Sequence, residues 1–353
     1  MVQLLNTIST QYQQQLPFVI YRKPNEKGVS AFLMRDADLT FTTNFQEKGF
    51  VFAPFSDSEK AILFREDQAD FVSEELLTSA YNFKNIELES FNVSKEKYLK
   101  TVEKAIDQII SGHLKKVVIS REELVSVDNF SVIEIYEKLL LTYKNAFVYA
   151  WFHPKVGLWF GATPETLLSI NGTDFRTMSL AGTQVYKEHE KAVWKSKELE
   201  EQQLVTTFIE QQLATVATNL EVEKRETIKA GNLLHLRTKV SGSLKAPASL
   251  KELIRVLHPT PAICGLPREA ARNFIFENEK YDRSFYTGFL GELNLQHSKE
   301  QSKTSALFVN LRCMKIKNKF ASVYVGGGIT RDSDAEKEWE ETVLKTKTMK
   351  CAL

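Results

Sequence analysis

Strand-like and helix-like stretches follow one another along this chain, but never as a strict strand–helix–strand repeat. Parallel sheets need a helical crossover after each strand, so the missing repeat points to antiparallel pairing of neighbouring strands. Residues 18–21, 29–34, 49–55 and 61–64 read as short aromatic-rich strands between polar turns. The run FVYAWFHPKVGLWFGATPETLLSI is hairpin-like, with β-branched and aromatic residues around turn residues. Further strand patterns lie at 285–295, 304–316 and 320–326, and LKKVVISR adds an apolar strand with charged edges. The expected class is α+β, with large, mostly antiparallel sheets flanked by helices.

The helical periods are distinct. Tyr98, Val102, Ala105, Ile106, Ile109 and Ile110 fall at helical spacing, with Ser94 placed to cap the start and Gly112 the end. Ser131 and Glu134 form a capping-box pattern before a helix running to about Tyr143. A long helix is expected over 188–216, with Trp194, Leu199, Leu204, Phe208 and Leu213 as its buried stripe. Two more fall near 249–257 and 268–279, the second with Pro267 at its first turn. Ser333 with Glu336 is placed to cap a last helix reaching about Lys350. No repeat and no proline- or serine-rich linker divides the chain.

Composition narrows the function classes. With 46 basic against 45 acidic side chains the formal charge is +1. That balance argues against a nucleic-acid or membrane-surface binder, which relies on net basic surface. At 43% hydrophobic and 11% aromatic residues, the 353-residue chain can build a large core, unlike a disordered chain or a coiled coil. Cys264, Cys313 and Cys351 are too few for a disulfide scaffold, and no CxxC spacing suggests zinc. The opening MVQLLNTISTQYQQQLPF lacks a basic region followed by an apolar one, and no apolar run of about 18 residues occurs. A soluble, reduced, cytoplasmic protein is expected.

Several polar residues sit at strand ends or helix starts. Lys116, at the start of VVIS, is either a solvated strand-edge lysine or a desolvated base. Glu165, in GATPETLL, is either a turn-capping carboxylate or a general acid kept protonated in a cavity. Glu338 and Glu341, three apart on the last helix, share one face, and Glu201 lies mid-helix. Such carboxylates are either salt-bridged surface, as Glu341 with Lys345 would be, or oxygen ligands for Mg²⁺. Gly326, Gly327 and Gly328 stand between a strand and a capped helix, where backbone N–H groups can approach an anion. The run is neither GxxxxGK[ST] nor GxGxxG, so a nucleotide site does not follow. Arg312, inside ALFVNLRCMKI, calls for a carboxylate partner, whether structural or ligand. His235 reads as a core histidine, and Cys264 and Cys313 as small buried hydrophobes.

The ordered set KVVISR, GATPETLL, SLAGT, LLHL, HPTPAICGLPREAA, YDRSFYTGFLGE, NLRC, YVGGGI and EKEWEET runs from residue 116 to 342. Together these segments resemble the chorismate-utilising enzymes, most closely their isochorismate synthase branch. The resemblance spans about two thirds of the chain; residues 1–92 match only in kind. It implies a single chorismate-binding domain over 1–353, with a variable part at 1–92 and the core at 93–353. Two large sheets packed together and a Mg²⁺-dependent site are further implications. By the same resemblance Lys116 is the base activating the water that attacks C2, and Glu165 the acid protonating the departing C4 hydroxyl. Glu201, Glu338 and Glu341 fall on the Mg²⁺ positions. Gly182 and Thr183 fall at the substrate ring, and Arg312 and the backbone of Gly326, Gly327 and Gly328 at its carboxylates. Tyr286, Lys345, Ala262 and Leu311 fall on further substrate-binding positions, and His235 beside metal and ring carboxylate.

Two motifs depart from the family: GGGI stands where GAGI is frequent, and EEQQLV lacks the histidine that often follows the metal-binding glutamate. Amination enzymes of the family commonly carry LVDLxRND where this chain has LVTTFIEQQL, and aminodeoxychorismate synthase uses a lysine where Ala181 stands. Water as nucleophile and no obligatory glutamine amidotransferase subunit are therefore implied, and the resemblance also implies a monomer, for menaquinone or siderophore biosynthesis. Salicylate synthase, which goes on to eliminate pyruvate, is the nearer alternative. A catalytically silent anion-binding module is the alternative from another class.

Overall fold

The computed structural model describes residues 2–75, 90–91, 95–127, 130–186, 192–230, 233–296 and 302–353. Its strands form two ten-stranded, antiparallel sheets. The first runs from Gly265–Leu266 through Lys116–Ser126, Phe320–Ile329, Cys313–Lys317, Gly157–Thr163, Phe147–His153, Phe18–Arg22 and Gly28–Met34 to Ala69–Glu75. The second runs from Ala217–Val222 through Leu233–Leu244, Asp174–Val185, Thr166–Asn171, Thr304–Val309, Phe289–Leu295, Gly49–Ala53 and Ala61–Arg65 to Phe41–Thr42. The early aromatic strands thus build one edge of each sheet.

Aromatic side chains join the sheets face to face. Phe147 stacks on Phe308 with ring centroids 4.2 Å apart, and Phe64 on Trp151 at 5.1 Å. Such pairs contribute about 0.5–1.5 kcal/mol each beyond the area they bury. Tyr21 crosses the same core to donate to Glu292 Oε1 at 2.6 Å.

Helices cover the outer faces: α1 (Val2–Gln13), α2 (Lys95–Ile110), α3 (Val132–Thr142), α4 (Ser196–Leu213), α5 (Leu250–Leu257), α6 (Arg268–Asn278) and α7 (Ala335–Lys350). α1 and α3 pack on the first sheet, α4 and α5 on the second. α2, α6 and α7 gather around the Lys116–Ser126 strand. Gly112, at φ +82°, follows α2 as expected, and Ser131 Oγ accepts from Glu134 N at the start of α3. The expected cap Ser94 and residues 188–191 of the expected long helix lie outside the described residues.

Four expectations are corrected. The buried stripe of α4 is Gln202, Val205, Thr206, Ile209 and Leu213, while Trp194 precedes the helix and Leu199, Leu204 and Phe208 are only half-buried. An apolar period misses this face because part of it is polar. Gln202 Nε2 donates to Ser179 Oγ at 3.0 Å, Thr206 Oγ1 at 2.9 Å and Thr238 Oγ1 at 2.8 Å. The cap of α7 is Asp334, whose carboxylate accepts from Lys337 N; Ser333 instead donates to Glu338 Oε1 at 2.7 Å. The expected strand 304–316 is two strands in different sheets, so Arg312 lies in the turn between them, at φ +47°. Finally, the three glycines form no loop: they sit in the Phe320–Ile329 strand, opposite Ser120, Ile119 and Val118.

Candidate active site

Two chain crossings between the sheets make one wall of a cavity. Gly157–Thr163 of the first sheet passes through Pro164 and Glu165 into Thr166–Asn171 of the second. Thr304–Val309 passes back through Asn310, Leu311 and Arg312 into Cys313–Lys317. Antiparallel pairing on both sides brings the crossings together. Val309 N donates to Glu165 O and Ala162 N to Arg312 O, each at 3.0 Å. Asn310, fully buried, fixes the second crossing: it accepts from Tyr149 OH at 2.7 Å and donates to Phe285 O at 2.9 Å.

The cavity holds about 110 Å³ and is lined by Glu165, Gly182, Thr183, Glu201, His235, Ala262, Tyr286, Leu311, Arg312, Gly326, Gly328, Glu338, Glu341 and Lys345. The structure thus gathers residues that span nearly 180 positions of sequence. Two expected residues are not on its lining. Gly327 is turned toward Glu338 and Tyr98, as strand alternation between Gly326 and Gly328 requires. Lys116, 1% exposed, lies behind the wall with Nζ 2.8 Å from Glu201 Oε1. Gly328 makes room for that pair, since a Cβ there would come 2.5 Å from Glu201 Oε1 and 3.0 Å from Lys116 Cε. Beyond Tyr324 the glycine strand has no partner on its Cys313–Lys317 side, and Lys345 Nζ donates to Gly326 O at 3.0 Å.

Among the described residues the charged groups of the crossing wall have no partner. The Glu165 carboxyl makes no hydrogen bond to a described residue; burial pushes it up to about 8, against the pull of Lys116 and Arg312. A carboxyl in this state holds its proton at neutral pH. The Arg312 guanidinium likewise donates to no described residue, and burial lowers its pKa.

Glu165 and Arg312 face an acidic wall from α4 and α7. There Glu338 Oε1 receives Lys197 Nζ at 2.7 Å, and Lys345 grips Glu341. Burial raises the Glu338 carboxyl and neighbouring Glu341 raises it further, whereas for Glu341 burial is opposed by Lys345, Lys197 and Arg312, which together lower it. Lys197 was not singled out in the sequence, although it stands four residues before Glu201, on the same helix face.

His235 and Gly182 form a third side. The Asp174–Val185 strand slips register between Ala181 and Gln184, and Gly182 takes φ +72° there. Its carbonyl accepts from His235 Nδ1 at 2.9 Å, so Nδ1 carries the proton. Burial, with Arg312 adding, drives His235 down to about 3, so the ring stays neutral. Its Nε2 is then an acceptor with no partner among the described residues.

The donor chemistry of Glu201, Glu338 and Glu341, carboxylate oxygens on one cavity without thiol ligands, fits Mg²⁺. Among the described residues no three His, Cys, Asp or Glu side chains are already arranged around a metal position. The physical reason is the lysines: carboxylates brought together repel, and here each has recruited an ammonium.

A pair of inter-sheet crossings bearing an acid and an arginine thus faces helices bearing carboxylates across one cavity. The chain belongs to the chorismate binding enzyme family, which it matches over residues 51–353. It is 30% identical over 272 residues to isochorismate synthase DhbC of Bacillus subtilis (strain 168), covering 72% of this chain and 67% of that one. It is 32% identical over 273 residues to isochorismate synthase MenF of the same organism, covering 74% of this chain and 56% of the relative. A crystal structure of a Bacillus anthracis protein assigned as a 2,3-dihydroxybenzoate-specific isochorismate synthase, DhbC, superposes with TM-score 0.82 at 26% identity, over 99% of both chains. The two packed sheets with outer helices are the fold of that structure. No described helix is long and apolar enough to cross a membrane.

Proposed function

We propose that this enzyme converts chorismate to isochorismate, adding water at C2 and releasing the C4 hydroxyl. The observation that carries the reading is Glu165: a buried carboxyl with no hydrogen-bond partner among the described residues, pushed up to about 8, on the lining of a cavity that also carries charged groups. Hydroxide is a poor leaving group, and a proton held at neutral pH by a cavity residue is what its departure needs.

The other residues fit around that step. Arg312, with its donors free, takes one substrate carboxylate, and Lys345 with the open glycine strand takes the other. Tyr286, Leu311, Ala262, Gly182 and Thr183 shape the ring position, and the His235 Nε2 lone pair accepts from a hydroxyl or water. Lys116, as the neutral amine once its ammonium proton has passed to solvent and Glu201 has turned from it, receives the proton of the attacking water. Glu201, Glu338 and Glu341 would hold Mg²⁺, which supplies charge neutralisation and electron withdrawal at the ring carboxylate. Ala181 lines the cavity as a small wall where an amination enzyme of this family would present a lysine, which supports water as nucleophile. We further propose that residues 1–353 act as one domain, as a cytoplasmic monomer without an amidotransferase subunit, supplying menaquinone or siderophore biosynthesis.

The test is incubation with chorismate and Mg²⁺, with and without ammonium, and chromatographic separation of the products. Isochorismate alone, at a rate indifferent to ammonium, is expected. Salicylate with stoichiometric pyruvate would identify a salicylate synthase, anthranilate an amination enzyme, and binding without turnover a silent module.

A further inference from the structure

We propose that a basic cleft behind Arg312 is the vestibule through which the dianionic substrate reaches the cavity. The proposal rests on the chorismate reading given above.

The cleft holds about 700 Å³, and two of its lining residues, Pro164 and Arg312, also line the candidate active site. It lies on the far side of the crossings. Among the described residues its lining carries Lys144, Lys229, Arg237 and Arg312 and no carboxylate. Lys144 is exposed and its side chain has no ion pair among the described residues, and Lys229 Nζ sits 3.4 Å from the Tyr186 ring centroid. Arg237 is partly neutralised by Glu226 at 2.7 Å.

The opposite side of the cavity has the reverse character. Glu198, Glu201, Glu338 and Glu341 line it from α4 and α7, and Lys197 and Lys345 are engaged in ion pairs there. A dianion approaching from the helices meets carboxylates whose counter-ions are in use. From the cleft it meets ammonium groups with no ion pair among the described residues, and then the Arg312 guanidinium, which donates to none of them. Low-dielectric walls lined by one sign of charge concentrate a ligand of the opposite sign and raise its association rate. Arg312 therefore both closes the vestibule and receives what passes along it.

The experiment compares wild type, the double variant Lys144→Glu/Lys229→Glu, and a control of equal charge change, Lys104→Glu/Lys245→Glu, at exposed positions outside the cleft. Chorismate turnover and calorimetric chorismate binding are measured from low to high salt. The cleft variant should lose about tenfold in kcat/KM and in affinity at low ionic strength, with kcat within about twofold of wild type. Its curve should flatten and converge with wild type near 0.5 M salt, about where screening removes long-range steering. The control should follow wild type. Equal losses in both variants, or an undiminished salt dependence in the cleft variant, would overturn the vestibule. Wild type that binds chorismate without turnover sinks the isochorismate reading alone, because the binding arm still scores the cleft. Wild type that binds no chorismate sinks both.

Discussion

The two walls of the cavity handle buried charge in opposite ways. On the α4 and α7 wall three of the four lining carboxylates have an ammonium within contact: Glu201 has Lys116, Glu338 has Lys197, and Glu341 has Lys345. On the crossing wall Glu165 and Arg312 have no such partner, although both belong to the same cavity. Leaving an ionisable group without a partner in such a cavity is costly, and among the described residues this wall retains two. The difference teaches which groups are held in reserve. The helix wall holds carboxylates neutralised by lysines, and the crossing wall leaves its acid and its guanidinium without a partner among the described residues.

That contrast can be broken experimentally. The largest effect is expected from the metal: excess chelator should abolish turnover and added Mg²⁺ restore it, with Ca²⁺ supporting less because its geometry is looser. Full activity in chelator would mean the lysines, not a metal, are the working partners of the helix-wall carboxylates. Next, Lys116→Ala should keep the fold by circular dichroism and lose about 10²–10⁴-fold in turnover, the usual range for a lost general base. A rate within about threefold of wild type assigns the water to another group.

Glu165→Gln should bind chorismate and slow the chemistry by about 10²-fold. In wild type the acid is lost as pH rises through about 8, so activity should fall on the alkaline side, and the variant should lack that limb. A weaker KM at unchanged kcat would make Glu165 a binding residue. The same variant sharpens the contrast through stability. A carboxyl near 8 when folded and about 4.3 when unfolded disfavours folding increasingly as pH rises between those values. Glu165→Gln should therefore melt a few degrees above wild type at pH 8, roughly the shift of 1 kcal/mol or more in a chain of this size. The smallest effect is expected from Glu341→Ala, which should raise the Mg²⁺ needed for half-maximal rate by about tenfold while sparing the maximal rate. An unchanged Mg²⁺ requirement would remove Glu341 from the metal site.

Much of this architecture was legible in the sequence, and the failures share a cause. The strands of 18–64 and the helices ending near Tyr143, Leu257 and Asn278 follow from local period and caps. What local period cannot register is a change of partner. Residues 304–316 read as one apolar strand because both halves are apolar, yet the chain leaves one sheet for the other at Asn310. Gln202 and Thr206 look like surface until Ser179 and Thr238, brought from two strands, meet them. Ser333 looks like a cap until Glu338 claims it. The candidate site residues were proposed from linked motifs. Their geometry, with Lys116 behind Glu201 and Gly327 turned away, needed the assembled sheets.

The tied crossings also say when during folding the enzyme comes into being. Neither crossing has a fixed shape until both sheets exist, because Val309 N–Glu165 O and Ala162 N–Arg312 O join stretches nearly 150 residues apart. Closing loops of that length is slow and comes late. Any intermediate holding one finished sheet would have ordered strands and helices but no acid–guanidinium pair. Regain of activity during refolding should lag behind regain of secondary structure, a delay set by the wiring of the chain between its two layers.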